Sequence, residues 1–146
     1  MKAISTTLAI LVSITAFCQD DATKSWSDLY RIRFDTKFIK EKNAYIWAPI
    51  MDDKTKELLG KEFVIKGYYL PFDMPANEMV ISEFPYSSCF FCGGAGPESI
   101  IEVRLKADYS ALDVDDIVTV RGKLIINVDD PDHSTFILEQ AEVVKK

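Results

Sequence analysis

From Glu62 onward the chain alternates apolar and polar side chains in short runs cut by turn residues, a period of two that fits half-buried β-strands. The runs fall at 63–70, 79–84, 100–105, 117–128 and 135–144. Between them lie 71–77, a Cys/Gly loop ending at Gly96-Pro97, 107–116, and Asp129-Asp130-Pro131-Asp132, all rich in residues that break ladders. In the third run Ile101, Val103 and Leu105 share one face, and Glu102, Arg104 and Lys106 the other. In the fourth, Val118, Val120 and Leu124 oppose Thr119, Arg121 and Lys123, so each strand is expected to turn one face to the core and the other to solvent.

A local echo links the first and fourth runs, Phe63-Val64-Ile65-Lys66-Gly67 against Val118-Thr119-Val120-Arg121-Gly122. Glycine weakens a strand interior, so its recurrence at matched positions predicts sharp coiling or a bulge, which small barrels use to close. Five strands at this spacing fit a small OB-like Greek-key barrel better than a seven-stranded sandwich. The fold class expected is therefore mainly β. Residues 19–61 read as an N-terminal extension with additional strands at 30–35 and 44–50. Asp52 or Asp53 is placed to cap a short helix through Leu58 and Leu59, with Gly60 ending it. Residues 19–28 read as loose, with Trp26, Leu29 and Tyr30 offering a point of docking.

The N-terminus has the pattern of a secretory signal peptide: Lys2, a short apolar run from Leu8 to Phe17, then Cys18 and the polar Gln19-Asp20-Asp21. The run is shorter than the roughly 20 residues a bilayer requires. Ala16 and Cys18 suit cleavage before Gln19, leaving 19–146 as a single domain. The competing reading is a lipid anchor on Cys18, against which bulky Phe17 argues. The formal net charge is -6, one unit more negative once Lys2 is removed, a balance that disfavours nucleic acid and suits a periplasmic or secreted protein.

Three segments, Trp26-Ser27-Asp28-Leu29, Leu59-Gly60-Lys61-Glu62-Phe63-Val64-Ile65-Lys66-Gly67-Tyr68-Tyr69-Leu70-Pro71 and Tyr86-Ser87-Ser88-Cys89, carry a resemblance. In them the chain resembles an uncharacterised family of small exported bacterial OB-fold-like proteins, over most of residues 19–146. The resemblance implies an exported barrel and no activity. That family's cysteine loop continues with a histidine and a proline run, whereas Phe90-Phe91-Cys92-Gly93-Gly94 stand here.

The chemistry-bearing element is this loop, where Cys89 and Cys92 are followed by Gly93, Gly94 and Gly96. Three readings are open: a local disulfide, as exported thiols usually form; half of a zinc or copper site; and a redox-active dithiol. For a metal, His133, the only histidine, would be the third ligand and Glu98 a weaker fourth. For a redox pair, the glycines and Pro97 are poor material for the helix that lowers a thiol pKa. Gly93 stands where covalent haem attachment needs histidine. Phe84, Tyr86, Phe90 and Phe91 cluster around the loop, and read either as a binding surface or, for Phe84 and one of the pair, as a plug in the barrel end. The plug is the commoner fate of such residues. Asp113, Asp115 and Asp116, and Asp129, Asp130 and Asp132, read as solvated turns rather than calcium loops. With one histidine and no nucleophile elbow, a hydrolase triad has no support.

The function expected is an exported noncatalytic module, with no transmembrane segment and no cofactor, presenting the rigid Cys-x-x-Cys/Gly loop to a protein or small-ligand partner. The alternative is a zinc- or copper-binding protein using Cys89 and Cys92, and a thiol-disulfide oxidoreductase is the third reading.

Overall fold

The computed structural model describes residues 24–109 and 112–145, so the expected signal peptide, with Cys18, lies outside the described residues. The chain is mainly β, built as a closed five-stranded barrel with a separate two-stranded sheet and two short helices. Helix α1, Trp26–Leu29, leads into β1, Phe34–Ile39, and β2, Ala44–Pro49, which pair antiparallel. Helix α2, Asp53–Lys56, precedes the barrel strands β3, Glu62–Leu70, β4, Glu78–Ser82, β5, Ile100–Leu105, β6, Ile117–Ile126, and β7, Phe136–Lys145. Around the barrel the order is β3-β4-β5-β7-β6, with β6 paired back to β3. The β5–β7 pairing is parallel and the others antiparallel, the arrangement of an OB-like Greek-key barrel. No helix among the described residues is long and apolar enough to cross a membrane.

The inward faces are those the alternation marked. Phe63, Ile65, Ile101, Val103, Val118, Val120 and Leu124 are buried together with Phe136 and Leu138, each burial worth about 1.5–3 kcal/mol. The two echoed segments turn out to be partners: Phe63 lies opposite Gly122, and Gly67 opposite Val118. The β6–β7 register slips between Arg121 and Lys123, so Gly122 sits at a bulge. At Gly67 a Cβ would stand 2.5 Å from the Ser82 carbonyl oxygen and 3.2 Å from the Trp26 ring. Only a bare backbone admits both neighbours there.

The N-terminal extension departs from the pattern read in it. Residues 30–35 were expected as a strand, but the strand begins at Phe34, and Trp26–Leu29 is helical. Apolar side chains at 26, 29 and 32 share one side and enter the barrel core, which outweighs the local alternation. Trp26 Nε1 donates to the Lys66 carbonyl at 2.8 Å, and Lys24 forms a bridge to Phe63, so residues 24–28 are fixed rather than loose. Helix α2 is capped as expected: the Asp52 carboxylate accepts from the Thr55 N–H and hydroxyl, each at 2.9 Å. Glu102 is a further departure. It was expected to face solvent from β5, yet it is buried.

Candidate binding groove and cysteine loop

The outer faces of β4 and β5 are covered at their edges by three loops and by the β1–β2 hairpin. The hairpin is tied to the β6–β7 loop by Lys37 Nζ donating to the Val128 carbonyl at 3.2 Å and by the Lys42–Asp132 ion pair at 2.7 Å. Between them lies a groove of about 420 Å³. Trp47 and Ile46 of β2, Phe72 and Met74 of the β3–β4 loop, and Phe90 and Phe91 of the cysteine loop form its apolar wall. Phe72 and Phe91 meet edge to face with centroids 4.7 Å apart, joining two loops that are distant in sequence. Trp47 is 64% exposed and Phe91 53%, so the wall is open to solvent.

The floor is polar. Glu102, 2% exposed, projects from β5 and accepts from Arg104 Nη2 at 2.9 Å and from the Ser134 N–H at 3.3 Å. Its carboxylate also lies 3.1 Å from His133 Nδ1. The β6–β7 loop that brings His133 here is organised by Asn127. Its amide donates to the Asp130 carbonyl at 2.6 Å, and its side-chain oxygen accepts from the Asp130 N–H at 3.0 Å. Asp129, Asp130 and Asp132 line the same groove, whose lining includes no lysine or arginine. The Lys42 hydrogen bond and charge hold the Asp132 carboxyl below its ordinary value.

The cysteine loop is two successive 3-10 turns, Tyr86–Ser88 and Phe90–Cys92, joined at an extended Cys89. Gly93 adopts a left-handed φ of 75°, a conformation glycine enters freely, and Gly94 approaches so closely that a Cβ would lie 2.4 Å from the Ser88 carbonyl oxygen. The Cys92 and Gly94 N–H groups both donate to the Cys89 carbonyl, at 3.1 and 3.2 Å. Gly96 is extended and its carbonyl accepts from the Ser99 N–H, closing the turn before β5. Cys89 is buried with Leu70 and Val80, with Met74 packed against that cluster, whereas Cys92 is exposed. Their sulfurs are 4.0 Å apart, about twice a disulfide bond length, so both thiols are free in this structure. Desolvation and the neighbouring Cys89 thiol push the Cys92 thiol above its ordinary value.

The groupings expected from the sequence are partly redrawn. His133 does not join the cysteines; it is held by Glu102, and among the described residues no group of three His, Cys, Asp or Glu side chains is placed to share a metal. Glu98 acts elsewhere. With Glu83, whose carboxylate takes the Tyr30 hydroxyl proton donor, it pushes the Tyr30 hydroxyl above its ordinary value, behind the larger effect of burial. None of the four loop aromatics plugs the barrel: Phe84, Tyr86 and Phe91 are exposed, Phe90 is half-buried, and only Phe90 and Phe91 reach the groove. The two acidic clusters serve the backbone as turns. Asp116 accepts from the Asp113 N–H at 2.9 Å, Asp115 from the Tyr86 N–H at 2.7 Å, and Asp130 from the Asp132 N–H at 3.0 Å. Sequence reasoning missed Glu102, Asn127, Phe72 and Trp47. The one available signal was Arg104 two residues after Glu102, an opposite charge on the same strand face.

No family model matches this sequence, and no curated protein does. Among solved structures, a DUF3299 family protein from Pseudomonas aeruginosa PAO1 is similar, with a TM-score of 0.54 and 14% sequence identity over 85% of this chain and 95% of that one. At that identity the likeness is one of fold.

Proposed function

We propose that this chain is an exported, noncatalytic binding module, and that its ligand is a segment of a partner protein pairing apolar side chains with lysine or arginine. The observation that carries this reading is the groove on the β4–β5 face, walled by Trp47, Phe72 and Phe91 and edged by Asp129 and Asp130, with no lysine or arginine in its lining. In OB-like barrels this face, between the loop after the first strand and the loop before the last, is the usual seat of a ligand. Exposed aromatic rings and carboxylates together suit a cation flanked by apolar groups, since ring faces attract cations and carboxylates pair with them. Glu102 is already engaged by Arg104, His133 and Ser134, which suits a fixed floor rather than a group that transfers protons. The leader pattern at 1–18 supports export.

The test uses Trp47, since Trp26 is buried and Trp47 exposed. An extended peptide alternating lysine and leucine, titrated into the protein, shifts the tryptophan emission to the blue and saturates. A matched peptide of glutamate and leucine does not. Phe91→Ser weakens the lysine peptide by roughly tenfold, as loss of an exposed aromatic anchor does. Equal binding of both peptides, or of neither, overturns the reading.

A further inference from the structure

The cysteine pair is not part of the groove's lining, and its geometry suits a different ligand. Both sulfurs project from one tight turn, held by the Cys92 and Gly94 N–H groups converging on the Cys89 carbonyl. Two metal–sulfur bonds of about 2.3 Å span 4.0 Å at a bend of roughly 120°, so an ion fits between the sulfurs without backbone movement. A bend of that size leaves room for a third donor. Met74 packs against the cluster of Leu70, Val80 and Cys89, so a thioether side chain belongs to the same small cluster as the buried cysteine. Zinc in a structural site takes four ligands of the Cys, His or carboxylate kind, and among the described residues no third such side chain is grouped with these two. Thiolates with a thioether are the soft set that selects copper(I).

We propose that Cys89 and Cys92 bind one copper(I) ion, with Met74 as the adjacent soft donor. Binding breaks two S–H bonds and forms two Cu–S bonds. The two protons pass to water, and no electron is transferred, the metal entering and remaining as copper(I). The site is half open, because Cys89 is fully buried and Cys92 lies at the surface, so the ion enters and leaves from the Cys92 side.

The experiment is anaerobic titration of the whole exported chain, its thiols first counted as reduced, with copper(I) held by bicinchoninate. Wild type withdraws one copper per chain from the competitor, and Cys92→Ser, an exposed change that spares the core, withdraws none. Met74→Leu keeps the stoichiometry and weakens the affinity by roughly tenfold, the size of a supporting contribution to a metal site. Circular dichroism of both variants matches wild type. The proposal is overturned if reduced wild type leaves the copper with bicinchoninate, if Cys92→Ser competes as well as wild type, or if zinc(II) displaces the copper at equal concentration.

Discussion

Glu102 shows how one side chain ties the site to the fold. A carboxylate this buried is tolerated because Arg104, His133 and the Ser134 N–H surround it, and its removal leaves those groups without their partner. Glu102→Ala is expected to cost about 2 kcal/mol in urea denaturation, the scale of charged hydrogen bonds. Glu139→Ala, which removes only an exposed partner of Arg104, should change little. Asp52 makes a pH-dependent contribution. Its hydrogen bonds from the Thr55 N–H and hydroxyl, and then Arg33, lower its pKa below the ordinary 3.8. A depressed carboxyl stabilises the fold fully above its unfolded value and loses that contribution as the pH falls through the folded one. Asp52→Asn should therefore be less stable than wild type near neutral pH, the gap closing below 3.8 as thermal unfolding is followed into acid.

At the level of elements, the loop between β4 and β5 owes its shape to two different glycine requirements. At Gly94 the obstacle is space, a backbone oxygen 2.4 Å from any Cβ, and at Gly93 it is the left-handed backbone, with open space around it. A backbone clash must displace the turn, whereas a left-handed alanine costs about 1 kcal/mol. Gly94→Ala is thus expected to destabilise more than Gly93→Ala, and to weaken the lysine–leucine peptide as well, because Phe90 and Phe91 ride on the displaced turn. Equal stability of the two variants in a melting series would contradict this account. The N-terminal segment teaches the complementary point. Alternation at 30–35 resembles a strand, but Trp26, Leu29 and Ile32 find more burial as one turn of helix and its exit than they would as strand.

For the whole molecule, the export expectation has a direct check: intact mass of protein recovered from the export compartment should correspond to a chain beginning at Gln19. A chain beginning at Met1 would refute cleavage before Gln19, and a diacylglyceryl adduct on Cys18 would establish the lipid anchor instead. The barrel itself was legible in the residues, since period-two burial, breaker-rich connections and paired glycines are local properties that dictate five strands and which face of each is core. The turn character of the aspartates and the cap at Asp52 were legible for the same reason. What the residues alone did not reveal is which outward side chains are brought together. Glu102, Phe72, Trp47 and His133 stand far apart along the chain, and nothing in their own neighbourhoods marks them as companions. Strand order around the closed sheet, and the hairpin clasped to the β6–β7 loop by Lys37 and Lys42, bring them together. Such long-range closure depends on the sum of contacts across the barrel, which no local pattern encodes.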